Sequence, residues 1–183
     1  MTNTVSIDSM IFVWGVKRVA TQGQEGNIQL ASDLLDFLDT EGREIVVPAP
    51  VITEVMCPIT DATRRSLLLD VIQTRFRVAP LDDLSAFIAG GIWADHKHDW
   101  QDIYAANGEV AIKTKFKYDI LILGISIAKG VDWLYTEDQQ LFDLATVVGQ
   151  PVRKLSAMPP LMAIANAARQ AAPPQQNSLF SGQ

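Results

Sequence analysis

Four carboxylates far apart in the chain have the types and settings that could do chemistry: Asp8 in "VSIDSMIFVW", Glu54 in "VVPAPVITEV", Asp119 in "KTKFKYDILILG" and Asp138 in "DWLYTEDQQLF". Asp8 raises the sharpest question. It interrupts an apolar run that reads as a buried strand, where a lone carboxylate loses hydration unless something compensates it. Two compensations suit that position: Asp8 caps a helix beginning near Ser9, or it holds a cation. Clustered carboxylates repel one another, and in a partly dry cleft at least one protonates unless a cation is bound. An all-oxygen set without histidine or thiolate favours Mg²⁺ or Mn²⁺ over zinc. Such ions activate water and stabilise charge on a phosphodiester, which is the chemistry of many nucleases.

The elements that must position these groups are legible as an alternation. "TVSID" is followed by "SMIFVWGV", "REIVVP" by "PVITEVM", and "DWLYT" by "EDQQLFDLA", each an apolar β-rich piece and then helical spacing. This predicts an α/β fold, a three-layer sandwich with a central parallel sheet of four or five strands. Spacing also predicts a helix over 27–42 with Leu30, Leu34, Leu35 and Leu38 on one face and Gly42 as its stop, and another over 60–76. "RVAPL" supplies a short strand, and the apolar segment 118–130 reads as a buried helix ended by Gly130. Residues 90–117 are expected to hold a helix and an irregular connection. The domain is placed at 1–156, with a short Pro-initiated helix and a polar tail over 157–183.

In open parallel sheets, functional groups gather beyond the carboxyl ends of the strands. Asp8, Glu54 and Asp138 fall on strand-to-helix turns, and Asp119 reaches the same edge if the buried helix starts beside it. Each also has a plainer reading. Asp8 is a good cap, Thr136 with Gln139 fits a capping box, Glu54 suits a solvated helix face, and Asp119 suits a first helical turn. Four independent caps have no reason to share one sheet edge, which favours the metal reading of the set.

The 183 residues are 48% hydrophobic and 20% charged, enough for one domain with a sizeable core. A net charge of -6 argues against a nucleic-acid binder working through a general basic surface. The single Cys57 excludes an internal disulfide framework and a Cys-rich zinc site, and is read as a small buried hydrophobe. No basic segment precedes the first apolar residues and no run approaches membrane-spanning length, so a cytoplasmic protein without membrane association is expected.

The same motifs resemble the PIN-domain nucleases, the family of the VapC-like toxin ribonucleases. "SIDSMIFV" is similar to the family's first strand with its metal-binding Asp and small hydroxyl residue, and "VVPAPVITEV" to its second strand and Glu-bearing helix. "KYDILILGISIAKGVDWLYTEDQQLF" resembles its most distinctive stretch, an Asp opening an apolar helix, a glycine stop, a strand, then Thr-x-Asp-x-x-x-Phe. The resemblance covers roughly residues 4–155. It implies that Asp8, Glu54, Asp119 and Asp138 form a Mg²⁺ or Mn²⁺ site. Thr136 would support a first-strand carboxylate by hydrogen bonding, with Ser9 as the small polar neighbour. It further implies an endoribonuclease of toxin–antitoxin type acting on RNA, inhibited by a small antitoxin, and homodimeric. The loop 15–27, the region 90–117 and the tail are enlarged relative to many toxin members, so substrate choice does not carry over.

Other features are less tied to that centre. In "KTKFKY" an extended backbone would put Lys113, Lys115 and Lys117 on one face able to follow an RNA or single-stranded DNA backbone, with Phe116 or Tyr118 for stacking. Arg64 and Arg65 would extend that patch. His96 and His98 lack further zinc ligands and read as an exposed loop, Trp93 and Trp100 as packing residues. Glu137 and Asp143 are read as solvent-facing. "QNSLF" near the C-terminus resembles the peptides that dock bacterial repair proteins on the sliding clamp, with Gln176 as polar anchor and Leu179 and Phe180 entering an apolar groove. The alternative function is therefore a non-catalytic or DNA-directed module recruited to that clamp.

Overall fold

The computed structural model describes residues 3–98 and 109–155, over 109–112 the backbone alone. Five strands form one parallel sheet: β1 (Thr4–Ile7), β2 (Glu44–Pro48), β3 (Arg77–Ala79), β4 (Trp133–Tyr135) and β5 (Val152–Arg153), in the order β3-β2-β1-β4-β5. Between them run α1 (Ser9–Phe12), continued by a π-helical stretch (Val13–Lys17), α2 (Gly26–Thr40), α3 (Ala49–Met56), α4 (Ala62–Arg75), α5 (Asp83–His96), α6 (Glu109–Ala128) and α7 (Gln139–Val148). This is the expected three-layer α/β architecture.

The pleat separates the layers. Val5 and Ile7 of β1 and Ile45 and Val47 of β2 enter the main core with Ile11, Phe12, Leu34, Leu35 and Leu38. The intervening Val46 joins Ala79, Ile125 and Val131 in a smaller cluster, and Ser6 accepts a 3.1 Å hydrogen bond from Ser126 of α6. Such alternation is what a strand covered on both faces requires.

Two glycines have clear structural reasons. Gly149 ends α7 with φ 81, a left-handed conformation in which its N–H reaches Ala145 O and Thr146 O. Gly124 lets α6 approach α5 closely, since a Cβ there would lie 2.7 Å from Ser85 O and 2.9 Å from Ala89 Cβ.

Several expectations are corrected. Leu30 is exposed, and α2 buries Ala31, Leu34, Leu35 and Leu38 instead. Cys57 is exposed at the end of α3. The buried helix predicted from 118 begins at Glu109, so "KTKFKY" is helical and not extended. Its mean apolarity continues upstream through Val110, Ala111 and Ile112, and no glycine or proline interrupts that stretch. No helix among the described residues is long and apolar enough to cross a membrane. Trp100 and the tail residues Gln176, Leu179 and Phe180 lie outside the described residues.

Candidate functional site

Chain order reverses around β1: the chain moves from β1 through β2 to β3 on one side, then returns to β4 and β5 on the other. The carboxyl ends of β1 and β4 flank that switch point, where the first helices of the two halves diverge and leave a crevice. Asp8 follows β1 and Thr136 follows β4.

Asp8 is 2% exposed. Its backbone N–H continues the β1–β4 ladder by donating to Tyr135 O at 3.1 Å. Its side chain caps α1, Oδ1 accepting from Ile11 N at 2.9 Å, while Oδ2 accepts from the hydroxyl of the fully buried Thr136. Thr136 Oγ1 in turn accepts the Asp138 N–H at 3.0 Å. Asp138 caps α7 through Oδ1, which accepts from Gln140 N at 2.8 Å and Leu141 N at 3.1 Å. Its Oδ2 lies 2.6 Å from Lys115 Nζ of α6. Each cap thus fixes one carboxylate oxygen while the second is held from another element, Asp8 Oδ2 by Thr136 and Asp138 Oδ2 by Lys115.

Burial pushes the Asp8 carboxyl up from its ordinary range to about 7; the hydrogen bonds from Ile11 and Thr136 work against this, and the charges of Asp138 and Glu54 add to it. Asp138 and Glu54 thus both act on Asp8, although Glu54 is exposed near the end of α3 and not at its start. α3 packs against both α1 and α6. Asp119 is 5% exposed and lies midway along α6, one turn beyond Lys115, so the helix face that carries Lys115 to Asp138 carries Asp119 as well.

Among the described residues, no three Asp, Glu, His or Cys side chains lie close enough together to ligate one ion as they stand. Lys115 neutralises Asp138 and also donates to Gln140. Sequence reading placed Lys115 on a strand-like basic face and missed this pairing, because i to i+2 spacing shares a face on a strand but not on a helix. Lys117 sits 5.9 Å over the Trp93 ring, and Trp93 packs on Phe116 at 5.3 Å. Lys113 is exposed.

Neighbouring acids have structural work. Glu137 accepts the Leu155 N–H at 2.5 Å, and Asp143 accepts from Gln139 Nε2 at 2.7 Å. Ser9 stands beside Asp8 at the mouth of an apolar pocket of about 260 Å³ lined by Met10, Val13, Trp14 and Val19. His96 is half-buried and His98 exposed, and neither belongs to a metal-binding group among the described residues.

No protein-family model matches the chain, and no curated protein does. Solved structures do. The chain is similar to VapBC2 from Rickettsia felis, solved bound to a DNA fragment from their promoter, at 13% identity and a TM-score of 0.57, over 82% of this chain and 98% of that one. It is also similar to DNA-bound VapBC from Salmonella typhimurium, at 14% identity and a TM-score of 0.54, over 83% of this chain and 98% of that one. At such identity the likeness shows the fold, which is PIN-like, as the sequence motifs led one to expect.

Proposed function

We infer that the protein is a nuclease of the toxin–antitoxin class, an endoribonuclease that uses Mg²⁺ or Mn²⁺ at the β1/β4 switch point. The observation that carries this reading is Asp8: a carboxylate buried at the carboxyl end of the central strand, its proton affinity raised by burial and by two neighbouring carboxylates. A buried acid facing surplus negative charge is costly unless it stays protonated or meets a cation. The donor set fits a hard divalent ion, being all carboxylate oxygen with more negative charge than Lys115 can offset.

Asp8, Glu54, Asp119 and Asp138 would hold the ion, directly or through water. When bound, it supplies an activated water and neutralises charge on the phosphodiester. Thr136 orients Asp8 by donating to Oδ2 and holds the turn that presents Asp138. Lys115, partly exposed beside Asp138, would offer its ammonium to the substrate's phosphate. A single strand can bend its backbone towards a group of acids at a sheet edge more readily than a stiff duplex, which supports RNA loops as substrate. The fold shared with VapBC structures supports a protein antitoxin as partner.

Incubation with labelled RNA and with single-stranded DNA, in Mn²⁺ and then in EDTA, tests the reading. Cleavage of RNA in Mn²⁺ that disappears in EDTA and in Asp8→Asn and Asp119→Asn is expected. Cutting that persists in those variants would sink it.

A further inference from the structure

We propose that Lys17 and Arg64 form a phosphate-binding subsite that grips the nucleic-acid strand away from the acidic centre. The two cations line a cavity of about 330 Å³ with Pro58, Ile59, Thr60 and Asp61, between the end of the π-helical stretch and the α3–α4 turn. The basic face sought in "KTKFKY" is partly spent, since Lys115 holds Asp138 and Lys117 lies over Trp93. Other cations near this turn are likewise engaged: Arg65 donates to Ile59 O at 2.7 Å and Thr60 O at 3.1 Å, and Arg18 donates to Ser32. Arg65 is therefore held against the α3–α4 turn, while Arg64 lines the cavity. Neither Lys17 nor Arg64 has a carboxylate within 4.0 Å among the described residues, and Asp61, the acid in the lining, is occupied in capping α4 at Arg64 N, 2.7 Å.

The position suits a strand leaving the catalytic crevice. Both α1 with its π-helical continuation and α3 start at the carboxyl edge of the sheet and pack together as they run away from it. Asp8 caps the first and Lys17 ends its continuation, so Lys17 lies on the order of 10 Å along the helix from Asp8 by helical rise. Along α3 and the turn after it, Thr53, Glu54, Cys57 and Pro58 are exposed, an open surface between Glu54 and the cavity. A phosphate there is not the one being cleaved. It anchors the strand against the repulsion of an acidic protein, as two unpaired cations in a concave site can. The proposal rests on the nuclease reading for what happens at the other end of that surface.

The test is binding of a labelled single-stranded RNA in EDTA as salt is varied, comparing the full chain with Lys17→Gln/Arg64→Gln. The double variant should bind about tenfold more weakly, with the log–log salt slope reduced by about 1.4, roughly 0.7 for each lost phosphate contact. Single-stranded DNA should show the same loss, because the contact is to phosphate. Arg43→Gln/Arg77→Gln, at the amino edge of the sheet, removes the same charge and should leave the slope unchanged. Each single variant should lose about half of the slope change, so a folding defect in the double variant leaves the question decidable. Equal affinity and slope in wild type and double variant overturn the subsite, even if the wild type cuts RNA. Salt-dependent binding that the double variant loses, in a protein that never cuts, supports the subsite while removing the nuclease reading.

Discussion

Thr136 donates its hydroxyl proton to Asp8 across 128 positions of sequence, and the same oxygen accepts the Asp138 N–H. One buried hydroxyl thus ties the turn after β1 to the turn after β4. Thr136→Val keeps the shape and removes both bonds, leaving a buried carboxylate oxygen and an amide without their partner. A loss of about 1–3 kcal/mol in urea unfolding is expected, with Mn²⁺ affinity or activity down by roughly 10–100-fold. Thr136→Ser should recover most of both. A valine variant as stable and as active as wild type would show that the bridge carries no weight.

Asp8 predicts a pH dependence of the metal-free protein. Its folded pKa, about 7, lies above the ordinary 3.8, so the native state keeps a proton that the unfolded chain releases. Stability of the wild type therefore falls as pH rises between those two values and levels off above. Asp8→Asn carries no such proton. In EDTA its melting temperature relative to wild type should be higher at about pH 8 than at about pH 5. A difference that does not change with pH would mean that Asp8 is not a buried acid in solution.

Lys115 occupies the Asp138 oxygen that a cation would need. Lys115→Gln removes the competing ammonium, and Mn²⁺ should then bind on the order of tenfold tighter, seen as a larger thermal stabilisation per added metal. Catalysis should nonetheless fall, because the charge that meets the phosphate is gone. Weaker metal binding in this variant would place Lys115 among the supports of the site instead.

Two glycine substitutions separate close packing from helix propensity. Gly124→Ala puts a methyl group 2.7 Å from the Ser85 carbonyl oxygen, a backbone atom that cannot simply rotate away. A net cost of about 1–3 kcal/mol is expected despite alanine's better helix propensity. At Gly90, on the exposed side of α5, a Cβ meets nothing within 4 Å. Gly90→Ala should stabilise by up to about 1 kcal/mol. Chemical denaturation of the pair reads both, and equal signs would refute the account of the α5–α6 contact.

The alternation of "TVSID", "REIVVP" and "DWLYT" with helical segments was enough to specify a parallel α/β sheet, because a strand buried on both faces must be apolar throughout and needs a crossover helix. Asp8 and Asp138 were legible for a related reason. A carboxylate at or just beyond the end of an apolar strand has few places to go, and a helix N-terminus at the sheet edge is one of them. Neither the start of α6 nor the true setting of Asp119 could be read so, since a helix that is apolar nearly all round gives no phase, and its upstream end carries lysines that fit strand and helix alike.

What the amino-acid order determined by itself was therefore local: which pieces are strand or helix, and which acids stand at their junctions. Tertiary structure alone decided the pairings among charged groups. Lys115 meets Asp138, Arg65 turns to backbone carbonyls while Arg64 lines an open cavity, and the caps of α1 and α7 share one hydroxyl. Periodicity constrains residues within one element, whereas ion pairs and shared hydrogen bonds join separate elements and depend on strand order and helix packing, which adjacency in sequence does not encode.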